Sequence, residues 1–233
     1  MGGAPCAFGL SGETMRHAAT AFLLLAAAAT GADDFSVLPL KEAAPAEVAE
    51  ALKKELSTEG IRIQKGDKPT MDFWWRGFAP ASDAKAPLGV RFPEIKPGSF
   101  LGVVRVHGGA ADFKNQKYPA GVFTLRYQVQ PEDGDHQGTA ESRDFLLLGP
   151  AAADASVAEL AYADAVKLSS KVNGKKHPIV LWLVPPAEEG KGPRIVKDDA
   201  KEHVLYETSM PQGKKDGKPL SMALVVVGKA AEQ

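Results

Sequence analysis

Apolar and polar side chains alternate strictly along residues 121–130, Gly-Val-Phe-Thr-Leu-Arg-Tyr-Gln-Val-Gln. Phe123, Leu125, Tyr127 and Val129 fall on one face of an extended chain and Val122, Thr124, Arg126 and Gln128 on the other, which predicts a half-buried strand with one wet face. Tyr118-Pro119-Ala120 marks a turn before it, and Pro131-Glu132-Asp133-Gly134-Asp135 ends it with poor strand formers. A strand of this kind belongs to an antiparallel sheet over a single core.

The same reading runs along the rest of the chain. Strands are expected at 61–64 and 70–76 around the turn 65–68, then at 101–107, 144–148, 178–184, 194–197, 204–208 and 220–227. Residues 78–100, rich in Pro, Ala, Gly and Ser, read as a long loop with a short strand at 89–92. Residues 45–57 predict a helix, with Pro45 in its first turn and an apolar stripe of Val48, Ala51, Leu52 and Leu56. A second helix is expected from the capping-box spacing of Ser156 and Glu159 to a stop at Asn173-Gly174. Many short strands with two short peripheral helices predict an all-β protein, an antiparallel β-sandwich of jelly-roll type. Nothing in the pattern divides residues 33–233, so a single domain is expected there.

The N-terminal region follows a different rule. Arg16 and His17 precede an apolar run at 18–29 and a small-residue site at Thr30-Gly31-Ala32, the layout of a secretory signal over residues 1–32. The run is too short to cross a bilayer, which takes about 20 helical residues. Met15 stands where such a signal would start, and cleavage is expected after Ala32. Cys6, the one cysteine, lies within this leader, so the exported protein would fold without disulfides in an oxidising space. A secreted or periplasmic location follows. The net charge of −1 provides no electrostatic case for nucleic acid or an anionic membrane.

The segment Lys117-Tyr118-Pro119-Ala120-Gly121-Val122-Phe123-Thr124-Leu125-Arg126-Tyr127 resembles the Pro-Ala-Gly-x-Tyr/Phe-Thr-Leu strand of uncharacterised secreted bacterial β-sandwich proteins. It is similar also to strands of prealbumin-like and carboxypeptidase-regulatory-like modules. The resemblance implies a sandwich and secretion, and it assigns no functional residue.

Candidate chemistry gathers after the 121–130 strand. Asp133, Asp135, Gln137, Gly138, Glu141 and Asp144 occupy positions 1, 3, 5, 6, 9 and 12 of a calcium-loop spacing, in which alternate oxygens and a turn glycine suit a hard cation. A solvated loop between two strands is the other reading. His136 sits among these carboxylates, which would favour its protonated form or complete a metal shell. His107, His177 and His203 are scattered singly, and only the fold could gather them around a transition metal. Trp74 and Trp75 must point to opposite sides of a strand; one of them is a candidate platform for a glycan, unless both are covered. Residues 33–233 contain no Gly-x-Ser-x-Gly, no His-Glu-x-x-His, no phosphate-binding glycine loop and no cysteine. The leading expectation is a secreted, non-catalytic protein that binds a ligand or partner at the envelope through Trp74, Trp75 and His136. The alternatives are a metal-dependent sandwich or cupin-like enzyme and a structural envelope component.

Overall fold

A computed structural model describes residues 1–3, 34–85, 87–132 and 140–229. Ten strands form one antiparallel sheet: β1 (Phe35–Leu40), β2 (Gly60–Lys65), β3 (Lys68–Trp75), β4 (Phe100–Val106), β7 (Gly121–Val129), β8 (Asp144–Pro150), β9 (Val180–Val184), β12 (Pro219–Val227), β11 (His203–Pro211) and β10 (Arg194–Asp198), in that spatial order. A separate two-stranded ribbon pairs β5 (Ala110–Ala111) with β6 (Lys117–Tyr118). The chain meanders from β1 to β9, then jumps to the far edge at β10 and returns through β11 and β12.

This sheet curls until its two edges meet. Lys197 on β10 reaches Asp34, just ahead of β1, at 2.5 Å, and Phe35, Val37, Ile195 and Val204 all pack on the same interior core. Among the described residues no hydrogen-bonded ladder joins β1 to β10, so the barrel is nearly closed and keeps a seam. The two-layer jelly roll expected from the sequence is thereby corrected to one continuous sheet. Short alternating strands satisfy either arrangement, and only the order of pairing separates them.

Alternation along β7 holds inside the barrel: Phe123, Leu125 and Tyr127 are buried in the interior with Phe73, Trp75, Tyr206 and Leu224. Each large side chain fully buried there contributes about 1.5–3 kcal/mol. The opposite face of β7 is polar but dry, which corrects the expectation of a wet face. Arg126 is 1% exposed because residues 154–160 cross over it. It donates to both oxygens of Asp154 at 2.7 and 2.8 Å and to the backbone carbonyls of Gly98, Ser156 and Ala158. Thr124 donates to the same carboxylate at 2.7 Å.

These bonds also move the second helix. The helix α2 runs Tyr162–Ser169 and starts later than the capping box predicts. Carbonyls of Ser156, Ala158 and Leu160, which a helix would use internally, accept instead from Arg126 and Gln128. The helix also ends earlier than expected, at Ser169, and the chain continues through turns to Gly174, which has φ +70° and donates to Ser170. The first helix, α1, is only Glu50–Lys53. Of the expected stripe Val48 and Leu52 are buried against Trp74, Phe100 and Val103, Leu56 packs beside them and Ala51 is exposed; Ser57 donates to Trp75 and Gly77 to Glu55, drawing the chain toward the end of β3.

One end of the barrel is plugged by residues 77–85 and 87–99, which carry Ala79, Phe92 and Ile95 into the core. The short strand expected at 89–92 is absent there. The N–H groups of Arg91 and Phe92 donate to the Asp144 carboxylate at 2.8 and 3.1 Å rather than to a ladder. Gly98, with φ +85°, lies so close to Leu160 that an added Cβ would sit 2.2 Å from its carbonyl oxygen, so only glycine fits.

Candidate ligand-binding mouth

Turns at the opposite end leave a mouth. The β2–β3 hairpin closes on Gly66-Asp67, with Gly66 at φ +55° as tight hairpin turns require, and the Gly66 N–H donates to Asp34 and so ties down the start of β1. Residues 106–112, the turn after β10 and the end of β12 complete the rim. Between them lies a cavity of about 1070 Å³, slightly larger than most small-molecule sites. Met71, Val106 and Val226, buried in the top layer of the core, form its floor; Phe35, Ala110 and Val227 continue the apolar wall.

The rim is basic. Lys65, Lys68, Lys201 and Lys229 line it, against the exposed carboxylates of Asp67 and Glu202. Lys65 stands 5.9 Å over the Phe35 ring, and Lys201 pairs with Glu141 at 2.6 Å. A third carboxyl, Asp112, is turned into the protein: the N–H groups of Lys114, Gln116 and Val180 and the Gln116 side chain all donate to it. Burial pushes this carboxyl above the usual aspartate range.

Below the mouth, on the outer face of β2, β3 and β4, the fully buried Asp72 accepts from Arg62 at 2.7 and 3.0 Å and from Arg105 at 2.6 and 2.9 Å. His107 Nε2 lies 2.8 Å from the same carboxylate, and Glu42 bridges the two arginines from outside. Burial alone would raise the Asp72 carboxyl, but the hydrogen bonds from Arg62, Arg105 and His107 outweigh it and hold it below the ordinary range. Both oxygens are taken, so the cluster fastens three strands to residue 42 and presents no open position.

The residues singled out in the sequence are not brought together. Trp74 is fully buried on the outer face and donates to the Glu42 carbonyl at 2.8 Å; Trp75, 8% exposed, points into the barrel and donates to the Tyr206 hydroxyl. Their opposite orientation is as expected, but neither ring offers a face to solvent, which corrects the glycan-platform expectation. Asp133, Asp135 and His136 lie outside the described residues. Glu141 is exposed and paired with Lys201. Asp144 turns inward, where Tyr127 donates to it at 2.7 Å beside the two backbone N–H groups; burial raises its carboxyl. It is therefore a structural acceptor, and its assignment as the last calcium ligand is corrected. His177 is exposed, while His203 approaches the Lys229 carbonyl at 3.1 Å. Among the described residues no group of three or more His, Cys, Asp or Glu is arranged to hold a metal ion.

The lysines of the mouth were missed because Lys65 and Lys68 flank one hairpin turn while Lys201 and Lys229 come from distant parts of the chain. Their common signal is topological: in an antiparallel meander alternate turns share an end, and that parity is readable only once the strands are counted correctly. The chain matches no protein-family model, and no curated protein and no solved structure matches it. Among the described residues no helix is long and apolar enough to cross a membrane.

Proposed function

We propose that the protein is an exported, non-catalytic binding protein of the cell envelope or its surroundings, which holds a small ligand in the mouth of its barrel. The observation that carries this reading is the mouth cavity itself, about 1070 Å³ over an apolar floor of Met71, Val106 and Val226. Concave, mostly apolar sites with a few polar groups at the edge are where small ligands bind, and barrel mouths are a common place for them. Export rests on the leader layout at residues 1–32.

A neutral apolar dye, N-phenyl-1-naphthylamine, tests the site without presuming a head group. Saturable, one-to-one fluorescence enhancement is expected, weakened at least tenfold by Val227→Trp or Ala110→Trp, which place bulk at the wall. Both variants should keep the far-UV circular dichroism of the parent. Absence of saturable binding, or binding untouched by both substitutions, would overturn the reading.

A further inference from the structure

We infer that the seam between β1 and β10 is a gate poised to close: a ligand seated in the mouth draws the two edge strands into a backbone ladder and completes the barrel. This rests on the binding reading above for its trigger and adds the movement that follows binding. Every neighbouring pair in the large sheet is antiparallel, so β1 and β10, its first and last strands, also run in opposite directions. They are oriented as an antiparallel ladder requires. Asp34 and Lys197 already meet at 2.5 Å at the mouth end of the seam, and Phe35 and Val37 from one edge pack on the same core as Ile195 from the other. Among the described residues only the ladder itself is not made.

Both edges are built as strands that meet water. Pro39 in β1 has no N–H to give and Lys197 in β10 carries a charge, two devices that keep an open edge from pairing with another chain, and Leu38 beside Pro39 is 42% exposed. The cavity spans this seam. Phe35 of β1 and Lys65 at the end of β2 line it from one side, and Lys201 and Glu202, in the turn joining β10 to β11, line it from the other. A molecule that touches both flanks buries more apolar surface when they approach, so it binds the closed form better than the open one, which is the condition for a ligand to shift the equilibrium. Every other joint of the sheet is already tied by a ladder, which leaves the seam as the place where the wall moves.

Amide hydrogen exchange with and without saturating N-phenyl-1-naphthylamine tests the gate. With dye bound, amides of β1 and β10 should exchange roughly fivefold more slowly, while those of β7 and β8 keep their rates. Lys197→Glu sets two carboxylates against each other at the seam; it should weaken the dye roughly two- to fivefold and abolish the slowing. The exchanged pair Asp34→Lys/Lys197→Asp, which rebuilds the contact with its charges reversed, should restore both. Dye binding that leaves β1 and β10 unchanged, or slows them no more than the rest of the sheet, would overturn the gate and leave the binding site standing. A slowing that keeps its full size in Lys197→Glu would overturn it too, and failure of the dye to bind would remove the binding reading together with the trigger.

Discussion

At the plugged end, residues 77–85 and 87–99 enter the core, Arg143 donates from its backbone to Gly89 and from its side chain to the Gln130 carbonyl, and Asp144 gathers Tyr127 with the N–H groups of Arg91 and Phe92. At the mouth, tight turns end in exposed lysines over a cavity. Asp144, Tyr127 and Arg143 at the first end are satisfied by one another and by backbone groups, which is the only inexpensive way to bury them, although the buried Ser99 hydroxyl has no partner among the described residues. At the second, Asp112 is likewise satisfied from within and Lys201 pairs with Glu141, while the lysine side chains stand exposed around a cavity. The contrast teaches that one end of the barrel is closed by its own packing and the other is left open around a cavity, and it can be broken by substitutions that treat the two ends alike.

The largest effect is expected at the sealed side. Arg126→Met leaves Asp154 buried with Thr124 as its remaining side-chain donor and frees the Gly98 carbonyl of the plug, so urea unfolding should show a loss of about 3–5 kcal/mol. A loss below about 1 kcal/mol would mean that this pair does not hold the plug.

Asp72 and Asp144 sharpen the comparison through pH. The folded-state value of Asp72 is lowered, so its contribution to stability is present above the ordinary aspartate value of about 3.9 and is lost as pH falls through the folded value. Asp144 is raised by burial, so its contribution is present below the ordinary value and is lost as pH rises through the folded one. Urea midpoints between pH 2 and 7 should therefore show Asp72→Asn most damaging near neutrality, with the gap to the parent narrowing in acid. A gap that widened in acid would contradict the assignment. The smallest stability effect is expected from Lys65→Glu/Lys68→Glu, within about 0.5 kcal/mol of the parent.

Much of the fold was legible because local patterns and tertiary packing agree. Phe123, Leu125 and Tyr127 face the interior as their alternation predicts, and Val48 and Leu52 dock on the outer face as a stripe. What escaped depends on distant segments. Arg126 lies on the polar face of an alternating strand, and nothing near it in sequence says that Asp154 will cover it, dry that face and delay α2 until Tyr162. Barrel and sandwich differ in the order of pairing, above all in β9 joining β8 to β12 after the chain has jumped to β10. The candidate site was least legible, since Lys65, Lys201 and Lys229 become neighbours of one cavity only after closure of the sheet. Asp144 was misread because a carboxylate in a polar loop has the same local signature whether it turns outward to a cation or inward to a tyrosine.

Methyl-resolved NMR of the protein titrated with N-phenyl-1-naphthylamine tests the central claim most directly. Shifts should be confined to Met71, Val106, Ala110, Val226 and Val227 at the mouth, leaving Ala79, Ile95 and Leu146 of the plugged end and deep core unmoved. Saturating shifts centred on the plugged end or on the outer faces, or no shifts at all, would contradict a binding mouth.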